Sequence, residues 1–331
     1  MRAAFALVVC AVILAGCRHL ADVPFQAPPE PPAAATFSVP DVELPDPLVL
    51  IAYGDMRFTN PSETSATNPG ARRALIAKIA AEQPAAVFIN GDLPWHGVRE
   101  DYEVYREESG PWRQQRLRIY PALGNHEFAG CAESECLERW WTAFSELRGR
   151  RWYSVALGSK VLGVALDSDA PLLPGSEQRQ WLEKQLSAID PHVRFVLIVL
   201  HHPPVADVQA VKSVDHNPRP NEQALADYLS ALAAHTRARI VVSAGHIHNY
   251  ERFARDGVIY LVSGGGGAKP YEVDRTPDDL YQNSDFPNYH FVRFEVRAKT
   301  LTGEMIRLRP SAAAEPEAWE VRDRFELTLP P

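Results

Sequence analysis

The chain has little cysteine, four residues in 331, and no excess of positive charge: 34 lysines and arginines stand against 42 aspartates and glutamates, a formal net charge of -8. Without a general basic field, nucleic acid is not expected as a stable partner, and a phosphorylated substrate would need local cations. No Gly-x-Ser-x-Gly occurs, which removes the nucleophile elbow of a serine hydrolase. The run Gly264 to Gly267 lacks the Lys-Ser/Thr of a P-loop and reads as a tight loop rather than a phosphate cradle. Cys10 and Cys17 lie near the start, leaving Cys131 and Cys136 for the body of the chain. Two cysteines without a nearby histidine pair suit a zinc knuckle poorly, whereas the polar stretch between them suits a disulfide in an oxidising compartment.

Arg2 is followed by the uncharged stretch Ala3 to Ala15, the length of an export signal and too short to span a bilayer. It ends in Leu14-Ala15-Gly16-Cys17, which resembles the bacterial lipobox. That resemblance implies a leader over 1–17, lipidation of Cys17 and a membrane anchor. Arg18 rather than Asp after the cysteine points to the outer membrane, with the body facing the periplasm or the cell surface. Residues 18–47 carry Pro24, Pro28, Pro29, Pro31, Pro32, Pro40, Pro45 and Pro47, the composition of a stiff spacer. The remainder, 48–331, is long and apolar enough for one sizeable, monomeric domain.

From Leu48 onward, short apolar runs alternate with amphipathic stretches. Strands are expected at Leu48 to Tyr53, Ala85 to Ile89, Arg118 to Leu123, Val161 to Leu166, Phe195 to Leu200, Ile240 to Ser243 and Val258 to Val262, with helices near 70–83, 98–109, 137–148, 176–188 and 221–235. Such alternation predicts an α/β fold around buried, largely parallel strands. Three further strands, His290 to Val296, Leu301 to Arg307 and Arg324 to Leu329, follow without helices and suggest an antiparallel addition.

Five of these strands run directly into residues able to bind metal: Asp55, Asp92, Asn125-His126-Glu127, His201-His202, and His246 with His248. Ligands bind outside the carboxyl ends of strands in open α/β sheets, so these groups are expected on one rim. Oxygen donors mixed with imidazoles suit Zn, Mn or Fe, and one carboxylate such as Asp92 can bridge two ions about 3.5–4 Å apart. A single Gly-Asp is usually only a turn. Five such endings in order are hard to produce by turn chemistry.

The blocks Gly54-Asp55, Gly91-Asp92, Gly124-Asn125-His126-Glu127, His201-His202-Pro203-Pro204 and Gly245-His246-Ile247-His248 resemble the ordered motifs of calcineurin-like metallophosphoesterases. Asn249-Tyr250-Glu251-Arg252 is similar to purple acid phosphatases. The resemblance implies a four-layer αββα sandwich with mixed sheets, two divalent or trivalent ions, and hydrolysis of phosphate esters by a metal-activated hydroxide. It implies that Asp55, Asp92 and His248 hold one ion and that Asp92, Asn125, His202 and His246 hold the other, with His201 structural. His126 would meet the scissile group, oriented by Glu127.

The sequence departs from the family twice. The usual Asp-x-His reads Asp55-Met56-Arg57, and a guanidinium cannot coordinate metal. Purple acid phosphatases supply a Tyr three residues after the second Asp, where this chain has Trp95. Three arrangements are open: His96 supplies the donor, water does, or Arg57 binds the substrate phosphate, its alternative being a structural ion pair. The rival to catalysis is a surface lipoprotein that binds phosphorylated ligands.

Overall fold

The computed structural model describes residues 34–187, 189–208, 216–310 and 319–329. The leader, Cys17 and spacer residues 18–33 lie outside the described residues. Along the chain run β1 (Phe37–Val39), β2 (Leu48–Tyr53), α1 (Pro69–Glu82), β3 (Ala86–Ile89), α2 (Arg99–Glu108), α3 (Gly110–Gln114), β4 (Ile119–Pro121) and α4 (Glu133–Ala143). Then follow β5 (Tyr153–Leu157), β6 (Val161–Ala165), α5 (Glu177–Ser187), β7 (Phe195–Leu200), α6 (Pro220–Ala233), β8 (Arg239–Ala244), β9 (Tyr250–Arg255) and β10 (Val258–Ser263). The last strands are β11 (His290–Val296), β12 (Thr300–Leu308) and β13 (Trp319–Thr328).

The strands form two mixed sheets, ordered β13-β12-β11-β2-β3-β4 and β1-β5-β6-β7-β8-β10-β9. Period-two alternation makes the layering. In β7, Phe195, Leu197 and Val199 join the apolar cluster that also takes in Leu50, Val87 and Phe88 of the other sheet. Val196, Ile198 and Leu200 face the opposite way, onto Leu182 and Leu186 of α5 and Leu225 and Leu229 of α6. On the far side of the six-stranded sheet, Leu75 and Ile79 of α1, Trp112 of α3 and Trp140 of α4 complete the packing. The result is the expected αββα sandwich. Its close inter-sheet packing is visible at Gly163, where a Cβ would come within 2.7 Å of the Phe88 ring.

Local signals set the helix ends. Asn68 caps α1 by accepting the Ala71 N–H, with Pro69 at the first position, and Gln83 closes the helix in the left-handed region. The tail strands are antiparallel as expected, but β11 pairs with β2 and so extends the six-stranded sheet.

Three strands escaped the sequence reading. β1 lies within the stretch read as spacer, yet pairs in parallel with β5, so residues from 34 onward belong to the folded body. β5 and β9 are short antiparallel partners of β6 and β10. Their sequences, Tyr-Ser-Val-Ala-Leu and Tyr-Glu-Arg-Phe-Ala-Arg, carry too little alternation to declare themselves. The helix expected at 137–148 runs instead from Glu133 to Ala143, and a disulfide between Cys131 and Cys136, Cα atoms 5.7 Å apart, closes its first turn onto the preceding loop.

Candidate metal centre

β2, β3 and β4 are parallel neighbours in one sheet, and β7 and β8 are parallel neighbours in the other. Their carboxyl ends therefore open on one rim, and the sheets are stitched there. Asn90 donates to the Ser243 hydroxyl (2.9 Å) and the Ala244 carbonyl (3.2 Å), and the Gly54 N–H donates to the Ser263 carbonyl (2.9 Å). The backbone is forced at this rim. Asp55, Arg57, Asp92 and His246 all have positive φ (61°, 48°, 53° and 70°), a region that side-chain-bearing residues enter at a cost of about 1–3 kcal/mol each. Gly124 and Gly245 allow the close approach: a Cβ would lie 2.5 Å from Asp92 Oδ1 at the first and 2.5 Å from Asp55 Oδ2 at the second.

Two overlapping groups offer ligand atoms within 4.8 Å of one another: Asp55, Asp92 and His201, and His201, His202 and His246. His201 belongs to both, although sequence reasoning set it aside as structural. Its Nδ1 faces the Asn90 carbonyl at 3.0 Å, and since a carbonyl only accepts, that nitrogen carries the proton. Nε2 then looks at the Asn125 side-chain oxygen (3.0 Å), Asp92 Oδ1 (3.3 Å) and His246 Nδ1 (3.1 Å). His202, its neighbour, engages Ser168 through both the ring Nδ1 (2.8 Å) and its backbone N–H (3.0 Å). Burial first, then His201 and His246, push the His202 imidazole well below its ordinary pKa.

His248 repeats the pattern of His201. Its Nδ1 donates to the Lys269 carbonyl (2.8 Å), and its buried Nε2 has no hydrogen-bond partner although Asp55 Oδ1 lies 3.5 Å away. Asp55 also accepts the His246 N–H on both oxygens, at 3.1 and 2.9 Å.

His126 and Glu127 both lie against Asp92. The His126 ring Nδ1 is held by the Trp95 carbonyl, its N–H donates to Asp92 Oδ1 (2.9 Å), and Nε2 lies 3.8 Å from Asp92 Oδ2. Burial lowers its pKa against the opposing charge of Asp92. Glu127 does not orient that ring. Its carboxylate accepts the backbone N–H groups of Asp92 (3.1 Å), Leu93 (3.0 Å) and Gly124 (2.8 Å), clamping the turn after β3 to the turn after β4. The difference from the expectation is one of direction: three backbone donors, and not the His126 ring, hold the Glu127 carboxylate. Burial, with the Asp92 charge, pushes the Glu127 carboxyl up.

His96 is not brought to the centre. Its side chain is 42% exposed, 3.7 Å from Asp101, with its ring tilted against that of Trp95. Arg57 points inward, with Nη2 3.4 Å from Asp92 Oδ2. Burial alone would raise the Asp92 carboxyl, but His201, His126 and Arg57 outweigh it and hold it below the usual carboxylate range. Tyr271 completes the wall, donating to the His246 carbonyl (3.1 Å) with its ring 5.1 Å from that of His248. Nothing in its irregular surroundings marked Tyr271 in the sequence.

The donor chemistry fits metal ions. With its proton on Nδ1, His201 turns the Nε2 lone pair towards Asp92 Oδ1 and the Asn125 side-chain oxygen, and the buried His248 Nε2 faces a carboxylate with no donor between them. A cation satisfies both arrangements. The chain belongs to the calcineurin-like phosphoesterase family, whose model matches residues 50–250. It is 25% identical over 183 residues to a protein of Arcobacter nitrofigilis described as "Probable glycerophosphodiester phosphodiesterase GpdQ", covering 55% of this chain and 63% of that one. It is 33% identical over 137 residues to "Probable purple acid phosphatase 20" of Arabidopsis thaliana, covering 37% of this chain and 31% of the other. The chain thus spans less than two thirds of the length of either relative. The purple acid phosphatase PPD1 from yellow lupin seeds shares the fold, with a TM-score of 0.66 at 20% identity over 85% of this chain and 53% of the other.

Proposed function

We propose that the protein hydrolyses phosphate esters with the help of metal held on this rim. The observation that carries the reading is the His201 Nε2, turned by the Asn90 carbonyl towards Asp92 Oδ1, the Asn125 side-chain oxygen and His246 Nδ1. In this reading Asp92, Asn125, His201 and His246 hold an ion, and Asp55 and His248 stand on its other flank. His201 replaces His202 as the ligand because its ring is turned by a group that can only accept, whereas the Ser168 hydroxyl facing His202 can donate or accept. Zn, Mn or Fe suits this donor set; such an ion lowers the pKa of a water towards neutrality and draws charge from a phosphoryl oxygen.

The chain's own groups do the rest. Asp92, kept ionised by its cationic surroundings, fixes the centre. His126, with Nδ1 anchored on Trp95, presents Nε2 beside Asp92, where a leaving oxygen can take its proton. Glu127 keeps Asp92 and the Gly124 turn in register. The relatives' names cover a diesterase and a phosphatase, so both diesters and monoesters are candidate substrates.

The test is elemental analysis of the purified chain followed by assay with aryl phosphate mono- and diesters, alongside Asp92→Asn. Bound metal and turnover, both lost in the variant, support the reading. Less than one ion per chain and no turnover with added Mn or Zn would favour a ligand-binding lipoprotein instead. We further propose, from the Leu14-Ala15-Gly16-Cys17 stretch, that lipid on Cys17 tethers the protein in a bacterial envelope. Cys17→Ser should move it from the membrane to the soluble fraction, and unchanged fractionation would count against the anchor.

A further inference from the structure

We propose that Arg57 stands in for one of the two cations that the family resemblance implies, so that the chain holds one ion tightly and completes the positive charge with a guanidinium. The inference rests on the phosphoesterase reading and narrows it.

The two oxygens of Asp92 are already divided. Oδ1 faces His201 Nε2 at 3.3 Å and accepts the His126 N–H at 2.9 Å, whereas Oδ2 faces Arg57 Nη2 at 3.4 Å. A carboxylate that bridges two ions offers one oxygen to each. Here the second oxygen meets a permanent positive charge that cannot be deprotonated and has no lone pair to coordinate.

Arg57 is not a side chain that happens to have fallen inward. Its backbone is held at φ 48°, its N–H donates to the Asp92 carbonyl at 3.1 Å, and its carbonyl accepts from Arg72 Nη1 at 3.0 Å. Arg72 is itself locked, fully buried over the Phe58 ring and paired with both oxygens of Glu108 at 2.8 and 3.0 Å. The Arg57 side chain is only 17% exposed.

The donors around Asp92 are correspondingly uneven. On the Oδ1 flank stand Asn125, His201 and His246. Beyond these, Asp55 and His248 face each other at 3.5 Å, while Trp95 offers no lone pair for a metal and the half-exposed His96 lies 3.7 Å from Asp101. Arg57 Nε is buried without an acceptor and the Nη2 contact to Asp92 is long, so N–H groups remain for a phosphoryl oxygen.

Metal content decides the matter without reference to rate. The full chain is loaded with excess Mn(II), freed of loose metal by gel filtration, and read by elemental analysis and by electron paramagnetic resonance. The expected result is one ion per chain with the signal of an isolated Mn(II), rising towards two per chain with a spin-coupled signal in Arg57→His. Two ions in the unaltered chain would overturn the inference while leaving the phosphoesterase reading standing. A folded Arg57→His variant that stays at one ion would also overturn it, and the count in the unaltered chain decides even where the variant does not fold. No bound ion together with no turnover sinks the broader reading instead.

Discussion

The imidazole of His248 brings its Nε2 to 3.5 Å from Asp55 Oδ1 while its Nδ1 is committed to the Lys269 carbonyl. Two buried acceptors pointed at each other are costly, and the cost disappears when a cation or a proton enters between them. Binding to the folded state alone stabilises it by about 2.7 kcal/mol at a hundredfold excess over Kd. A chain of this size should therefore melt about 4 °C lower after chelation, with recovery on adding Mn or Zn. Scanning fluorimetry with and without chelator measures this, and identical midpoints would argue against a metal on the rim.

His201 and His202 are adjacent, yet their contacts predict different outcomes. His201→Ala removes the nitrogen facing Asp92 and Asn125 and should cost the bound ion and at least about 10³-fold in turnover. His202→Ala removes a ring held by Ser168 and should retain metal, with a loss of about 10–100-fold. The reverse order of metal loss would return the ligand role to His202.

His126 supplies a proton only while Nε2 is protonated, and burial lowers the pKa of that imidazole from its ordinary 6.5. Hydrolysis of an alkyl ester, which needs the proton on its leaving oxygen, should fall as pH rises through a value below 6.5. His126→Ala should slow alkyl esters by about 10²–10⁴-fold and nitrophenyl esters far less. Equal losses on both would show that His126 does not serve the leaving group.

Glu251 is buried with Oε2 accepting the Asp207 N–H, and burial, with Asp207 and Asp279 nearby, pushes its carboxyl up to about 8 from an ordinary 4.5. A folded acid raised in this way takes up a proton on folding between those two values. The penalty for burying its charge is absent below pH 4.5, grows from 4.5 to 8 and is complete above 8. Glu251→Gln should therefore melt higher than the parent above pH 8, by about 5 °C, with the difference closing towards pH 4.5. A constant difference across that range would place the effect in packing rather than charge.

Much of this was legible in the chain. Strand ends flow into Asp55, Asp92, Asn125 and His246 because apolar runs of strand length stop at glycine-led turns, His201 follows its strand directly, and parallel pairing carries these ends to one rim. At the site, the open points share a cause: which way a side chain faces. His201 and His202 are indistinguishable as letters, and only the Asn90 carbonyl, contributed by the other sheet, tells them apart. The resemblance assigned Glu127 to the His126 ring, whereas the turns after β3 and β4 claim its oxygens. β1 was hidden because three residues among prolines carry no period of their own; pairing with β5 makes them a strand.

The sequence by itself determined the alternation of strands and helices, the order of the metal-binding blocks and the arginine where a histidine was expected, because these depend on local period and residue chemistry. Only the tertiary structure decided that Arg57 reaches Asp92 Oδ2, that His96 turns away to Asp101 and that His201 faces inward. Arg57 and His201 are directed by residues far apart in the chain and His96 by the first turn of α2, so each side chain's direction becomes definite only when these elements pack.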